Sequence, residues 1–362
     1  MKVFHCDHCD RPVFFENTTC VTCKHVLAYL PDLSEIGSLE TVDGRQFTSP
    51  LTAAEGRSYR LCRNYVEHGV CNWAMTEEDG AQECCRSCRL TRVIPDLSIE
   101  GNREAWYRLE VAKRRLLYSL YSLRLPVVDK ATDPVGGLAF EFMADPVDPA
   151  APRLLTGHEN GVIRINLAEA DDAQREQRRS SLNEPYRTLL GHFRHEVGHY
   201  YWDRLIDGSA RLEAFRVQFG DERQDYAAAL QAHYQQGAPA DWPEHFVSAY
   251  CSSHPWEDWA ETWAHYLHME DTSETAAACG LSLRPSRRDE PSLPRIPEAR
   301  NGTAVSFDDM ITRWFPITYV LNHLNRGMGL PDGYPFVLSS PAIDKLRFVH
   351  DTIAQRESPL DS

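Results

Sequence analysis

A chain of 362 residues, 42% of them hydrophobic, can bury a sizeable core and suits two domains better than one. Its formal net charge is -15, and residues 1–98 hold 10 Lys and Arg against 14 Asp and Glu, so we expect no nucleic-acid partner. No apolar run is long enough to span a membrane, and the N-terminus lacks the apolar stretch of a secretory signal, so we expect a cytoplasmic protein without a membrane partner.

The cysteines are concentrated at one end of the chain. Nine of the eleven lie before residue 90. In a reducing compartment, cysteines grouped in this way favour metal binding over disulfides. We therefore interpret residues 1–98 as a zinc-ribbon module of loops and hairpins that ends at the turn-like residues 95–98, and residues 99–362 as a second domain.

Two sets of four cysteines have the spacing of zinc sites. The first set contains two CxxC pairs, which supply four thiolates at tetrahedral reach. The second set has one CxxC pair and a less regular half, and its alternative interpretation is buried or reactive thiols. Cys84 competes with Cys85 as a ligand, but only Cys85 gives the two-residue gap to Cys88. Cys251 and Cys279 are interpreted as lone cysteines. The predicted ligands are Cys6, Cys9, Cys20 and Cys23 at the first site, and Cys62, Cys71, Cys85 and Cys88 at the second.

The second domain is predicted to be α+β, mainly helical with a small sheet. Apolar residues at helical spacing predict a helix over residues 102–124. Alternating patterns predict strands at 137–143 and 161–167, which we expect to pair as neighbours. Asn183-Glu184-Pro185 is typical of a helix start, and further helical stretches follow within 211–236.

Another helix start is predicted at His254-Pro255, because Glu257 and Asp258 follow in the first turn, where the helix dipole favours acids. This helix is predicted to end near His268. Residues 270–305 are rich in Ser, Pro, Arg and Glu, and are predicted to form a long, flexible, exposed loop. Helices near 307–325 and 341–355 complete the chain.

The sequence His195-Glu196-Val197-Gly198-His199 is an HExxH motif on a predicted helix. Residues four apart lie on one face of a helix, so His195 and His199 can direct both imidazoles at one zinc ion. Glu196 lies between them, where its carboxylate can reach a water molecule beside the metal. The alternative interpretation is a pair of surface histidines.

A catalytic zinc ion usually takes three protein ligands, so one more ligand is needed. Glu257 and Glu261 are four residues apart on a helix that is otherwise rich in Trp and Ala. The alternative interpretation of this pair is that both carboxylates lie on a solvated face of the helix. One carboxylate can bind zinc while the other accepts a hydrogen bond from a ligand histidine. Spacing alone does not separate the two roles.

The arrangement resembles the gluzincin peptidases, in which HExxH is followed by a ligand Glu on a later helix. Tyr250 and residues 257–261 also resemble the protease domain of anthrax lethal factor, where a Tyr precedes the ligand Glu and a second Glu follows it. This resemblance implies that Glu257 is the third zinc ligand and that Glu261 supports a ligand histidine. It also implies that Tyr250 donates a hydrogen bond to the tetrahedral oxyanion. The alternative interpretation is that Tyr250 is an aromatic residue that only packs in the core.

Nearly the full length resembles the bacterial family called "putative zinc-binding metallopeptidase", which has an N-terminal zinc ribbon. The name implies peptidase chemistry on a peptide or protein substrate. The matching stretches are Cys6–Cys23, CNW at Cys71, RLTRVIPDLS from Arg89, RHEVGHYYWDRLI from Arg194, EDWAETWAHYL from Glu257 and GLPDGYPFVLS from Gly329.

The expected function is therefore zinc-dependent peptide hydrolysis with Glu196 as the general base. The expected cofactors are one catalytic zinc ion and one or two structural ones. His192 and His265 are further candidates near the site, and we interpret each as a structural or surface histidine. Two alternatives remain: an inactive adaptor that binds another protein through its zinc ribbon, and a nucleic-acid-binding zinc protein, which the acidic charge disfavours.

Overall fold

The chain folds into an α+β structure, as predicted, with a Cys-rich N-terminal region and a helical C-terminal part. It divides into two compact units, one made of residues 2–121 and 127–172 and the other of residues 1, 122–126 and 173–362. The helix start predicted at 183–185 lies outside the described residues, and a domain boundary at residue 98 stays a prediction. The computed structural model describes residues 1–146, 154–173, 175, 188–296 and 305–355.

The Cys-rich region consists of short strands and tight turns. The pairs β1–β2, β3–β4, β4–β5 and β6–β7 are all antiparallel. Strands this short stabilise little by themselves, so the region depends on a small apolar core around Leu30, Tyr59 and Ala74. The elements are β1 (Phe4–His5), β2 (Pro12–Val13), β3 (Val26–Leu30), β4 (Glu35–Thr41), β5 (Phe47–Thr48), β6 (Arg60–Leu61), α1 (Arg63–Val66) and β7 (Ala74–Met75).

The rest of this unit is a long helix and a four-stranded sheet with the order β10-β11-β9-β8. The two predicted strands do pair as neighbours, and they run parallel. The predicted helix over 102–124 ends at Ser122, and its buried Glu110 accepts a hydrogen bond of 2.8 Å from Thr91. The elements are β8 (Thr91–Val93), α2 (Asn102–Ser122), β9 (Ala139–Met143), β10 (Gly157–Glu159) and β11 (Val162–Asn166).

Seven α-helices of the second unit have both of their ends within the described residues. No helix in the part of the chain that the structure describes is long and apolar enough to cross a membrane. The helices are α3 (Leu189–Leu205), α4 (Leu212–Phe219), α5 (Tyr226–Gln236), α6 (Trp242–His245), α7 (Pro255–Ala278), α8 (Phe307–Gly327) and α9 (Ser340–Ala354).

Helices α3 and α7 approach closely at Gly198. A Cβ atom at Gly198 would lie 2.9 Å from Ala260 Cα, closer than packed atoms tolerate, and 3.3 Å from Trp263 Cβ, which is a tight contact. Trp259 Nε1 donates a hydrogen bond of 2.8 Å to the carbonyl oxygen of Gly198, and the ring of Trp263 stacks on Tyr201. The absence of a side chain at Gly198 therefore lets the HExxH helix lie directly against the helix that carries the two glutamates.

Helix α7 begins where predicted and ends later. His254 caps it, since its Nδ1 accepts a hydrogen bond from the Trp256 amide at 3.1 Å. The helix continues to Ala278, ten residues beyond the predicted end at His268, so the loop predicted from residue 270 is helical in its first part. The extension is stabilised by packing, because Ala276 is buried against Leu293 and Ile317.

Candidate metal centre

Three buried side chains from α3 and α7 converge on one point. His195 Nε2 lies 3.2 Å from His199 Nε2 and 2.9 Å from Glu257 Oε2. His199 Nε2 lies 3.5 Å from Glu257 Oε1. The HExxH motif supplies the two histidines one helical turn apart, and the close approach of α7 at Gly198 places Glu257 opposite them.

The three groups fit a zinc ion. Zinc bonds of 2.0–2.1 Å in a tetrahedral arrangement place neighbouring ligand atoms about 3.3 Å apart. The ligand atoms of His195, His199 and Glu257 lie within 4.8 Å of one another, and Glu257 is only 1% exposed. No hydrogen bond from the described residues reaches Glu257 Oε2, although this atom is buried. A buried carboxylate oxygen beside two imidazole nitrogens is a favourable position for a cation.

Glu261 contacts the other nitrogen of a candidate ligand. Its Oε1 lies 2.8 Å from His195 Nδ1, and its Oε2 accepts a hydrogen bond of 3.1 Å from Ser248 Oγ. Glu257 thus faces the Nε2 edge of His195 and Glu261 the Nδ1 edge, and the separate roles that the lethal factor resemblance implies for them stay a prediction. Burial would raise the pKa of each carboxyl group, but the adjacent imidazoles outweigh it, so the pKa of both Glu257 and Glu261 is lowered.

Glu196 is buried on the same helix and pairs with His192. Glu196 Oε1 lies 3.3 Å from His192 Nε2, one turn away. Burial would raise the pKa of Glu196, but the bond to His192 and the nearby His195 and His199 lower it below its ordinary value. A carboxylate held ionised at this position can act as a base. His192 thus lies near the site and contacts the candidate base, and its interpretation as a structural or surface histidine stays a prediction.

Two tyrosines face this group. The ring of Tyr250 lies 6.0 Å from that of His195, and burial followed by the charge of Glu257 raises its pKa well above the ordinary value. The hydroxyl of Tyr226, at the start of α5, donates a hydrogen bond of 2.6 Å to Glu257 Oε1. Sequence reasoning missed Tyr226, because it precedes Glu257 by 31 residues on a separate helix and no local spacing connects them.

His265 lies one turn beyond Glu261 and has a packing role. Its Nδ1 lies 2.9 Å from the Tyr334 hydroxyl, and its ring meets the Phe336 ring edge-on. Burial lowers the pKa of His265 to about 4, so the imidazole is neutral near pH 7. This agrees with the structural interpretation of His265.

The first cysteine set comes together in the structure. The sulfur atoms of Cys6 and Cys23 are 3.6 Å apart, as are those of Cys9 and Cys20. Four thiolates at a zinc–sulfur distance of 2.3 Å lie about 3.8 Å from one another, so the set fits a zinc ion. All four sulfur atoms lie within 4.8 Å of one another.

The second cysteine set also comes together, and all four of its members are buried. Cys71 Sγ lies 3.7 Å from Cys85 Sγ, and the backbone amide of Cys85 donates to Cys62 Sγ at 3.3 Å. The group that could hold a metal contains Cys85 and not Cys84, which matches the choice made from the two-residue gap to Cys88.

Comparison with known proteins assigns the chain to a family. Residues 102–352 match the family described as "Putative zinc-binding metallo-peptidase", and residues 3–99 match a zinc-ribbon domain. Uncharacterized proteins of Mycobacterium tuberculosis and Mycobacterium bovis are 41% identical over 354 residues, which cover 98% of this chain and 95% of each relative. No solved structure matches the chain, and the likeness to the lethal factor protease domain stays a prediction. The chain therefore belongs to the family of putative zinc-binding metallo-peptidases, as the resemblance predicted, with a zinc ribbon before the peptidase region.

Proposed function

We propose that this protein is a zinc-dependent peptidase whose active site is formed by α3 and α7. The observation that carries the proposal is the convergence of His195, His199 and Glu257, with Glu196 buried beside them. Zinc binding is supported by this donor set and by the family, and peptide hydrolysis is the chemistry for which the family is named.

The three ligand side chains would hold the ion through His195 Nε2, His199 Nε2 and Glu257 Oε2. When bound there, zinc supplies Lewis acidity, which polarises a carbonyl group and lowers the pKa of water. Glu261 accepts a hydrogen bond from His195 Nδ1, which would direct the Nε2 lone pair at the metal. Three protein ligands would leave a coordination position for substrate, as catalytic zinc sites require.

Glu196 is proposed to take a proton from the attacking water and to pass one to the leaving amine. Its lowered pKa keeps the carboxylate ionised at neutral pH, and His192 restrains one of its oxygens. Tyr250 is proposed to donate a hydrogen bond from its hydroxyl group to the developing oxyanion, because its raised pKa keeps the phenol protonated.

The two cysteine groups are proposed to be structural zinc sites that stabilise the N-terminal ribbon. A ribbon of this kind can also bind a protein partner or recruit a substrate. A protein that worked only as an adaptor would have no need of a buried ionised carboxylate at Glu196, so the geometry favours the enzyme.

The test is metal-dependent cleavage of a peptide library by the full-length protein. Chelation should abolish cleavage, and readdition of zinc should restore it, while zinc at the cysteine sites is followed by elemental analysis. Cleavage that persists after the histidine-site ion is removed would contradict the proposal. No cleavage by the zinc-loaded protein would favour the adaptor.

A further inference from the structure

We propose that Tyr226 is a positioning residue that makes Glu257 bind the metal through a single oxygen. The inference rests on the proposed metal site. The Tyr226 hydroxyl donates to Oε1 at 2.6 Å, whereas Oε2 lies 2.9 Å from His195 Nε2. No hydrogen bond from the described residues reaches Oε2. Oε1 is therefore engaged by a phenol and lies 3.5 Å from His199 Nε2, whereas Oε2 makes the closer approach to a proposed ligand nitrogen.

The position of the hydroxyl is fixed from both sides. Tyr226 is the first residue of α5, and the cap residue Asp225 accepts a hydrogen bond of 3.0 Å from the Ala228 amide. The Tyr226 ring packs edge-on against His254 and Trp256, the cap and an early residue of α7. The residues that pack on the ring therefore belong to the same helix start as Glu257, which sets the position of the tyrosine relative to the carboxylate.

A hydrogen bond of this length from a hydroxyl to a carboxylate is a charge-assisted one and is stronger than a neutral pair. It lowers the tendency of Oε1 to approach the metal as a second ligand atom. A carboxylate that binds through both oxygens would occupy the position that water and substrate need. Tyr226 thus acts through Glu257 to keep that position open.

The matched variants are Tyr226→Phe and Tyr319→Phe, each of which removes one hydroxyl. Tyr319 lies on α8, where its ring packs on His323. Full-length protein is treated with a chelator until only the histidine-site ion is lost, with the ribbon zinc verified by elemental analysis. The emptied site is then titrated with zinc against a competing chelator, and separately with cobalt, whose visible absorption reports coordination number.

We expect Tyr226→Phe to weaken zinc binding about 10- to 100-fold, as loss of a residue that supports a metal ligand does. The visible absorption of its cobalt form should decrease toward that of a five-coordinate ion. Tyr319→Phe should match wild type in both measurements. Unchanged affinity and an unchanged cobalt spectrum in Tyr226→Phe, with wild type loading normally, would overturn this inference alone. Failure of wild type to bind zinc or cobalt at this site would overturn the proposed function as well.

Discussion

Glu261 Oε1 and His195 Nδ1 lie 2.8 Å apart, on the opposite edge of the imidazole from the nitrogen that faces His199 and Glu257. A carboxylate at Nδ1 holds the proton on that nitrogen and leaves the lone pair on Nε2. The contact therefore fixes the orientation of the ring and directs Nε2 toward His199 and Glu257. Ser248 restrains the second oxygen of Glu261 and completes this support.

Glu261→Ala should weaken zinc binding at the histidine site about 10- to 100-fold, because His195 loses the group that orients it. Glu261→Gln keeps an acceptor oxygen at nearly the same position and should lose less affinity. Both constants can be measured by competition with a chromophoric chelator after the site has been emptied. Equal affinities in wild type and Glu261→Ala would show that the contact does not support the metal.

Gly198→Ala should destabilise the protein by about 1–3 kcal/mol, the usual effect of overpacking a close contact. The added methyl would lie 2.9 Å from Ala260 Cα, so α3 and α7 must separate slightly. The separation would also move the two histidines away from Glu257 and lower zinc affinity. Denaturant unfolding measures the first effect and zinc titration the second.

Gly327→Ala is the matched control for this substitution. Gly327 ends α8, and a Cβ atom there would meet nothing within 4 Å. Alanine at this helical position should leave the free energy of unfolding unchanged or raise it by at most about 0.4–1 kcal/mol. A loss at Gly198 no larger than the change at Gly327 would contradict the close-approach explanation.

The parts of the site that lie within one helical turn or one CxxC pair could be predicted from sequence. His195 and His199 are an example, since four-residue spacing alone puts them on one face. Glu257 and Glu261 share a face too, and spacing could not rank them because the distinction depends on which edge of His195 each one meets. Tyr226 could not be found at all, since its contact with Glu257 depends on how two separate helices pack.

The fold shows the same division between local and tertiary information. The cap of α7 at His254 could be predicted from local residue types, whereas its end could not. The polar composition after His268 favoured a loop, but burial of Ala276 against Leu293 and Ile317 stabilises the helix through Ala278. Tertiary packing outweighed local propensity there.

The three ligand groups predict three zinc ions per chain. Cys85→Ser should reduce this number to two, whereas Cys84→Ser should leave it at three. The two cysteines are adjacent in sequence, but only Cys85 belongs to the buried group. The Cys85 variant should also unfold at a lower temperature, because structural zinc binding is coupled to folding. Elemental analysis of the purified variants checks the count, and the reverse pattern would assign the site to Cys84.

His265 should make stability fall between pH 6.5 and pH 4. Burial lowers its pKa from 6.5 to about 4 in the folded protein, so in this range the unfolded chain binds the extra proton. The contribution is fully present above pH 6.5 and decreases by about 3 kcal/mol on acidification to pH 4.

His265→Gln keeps a polar group beside Tyr334 and cannot titrate. The unfolding free energy of wild type minus that of this variant should decrease as the pH falls from 6.5 to 4. Urea unfolding at several pH values measures it. Parallel profiles for the two proteins would contradict the assignment of a buried neutral imidazole.

The central claim, a peptidase site in which Glu196 moves the proton, is tested most directly by comparing wild type with Glu196→Gln on one peptide library. Both proteins should carry the same amount of zinc, because Glu196 lies beside the ligands without being one. Cleavage should fall by at least about 100-fold in the variant, the usual range for loss of a general base. Equal cleavage by the two zinc-loaded proteins would contradict this mechanism.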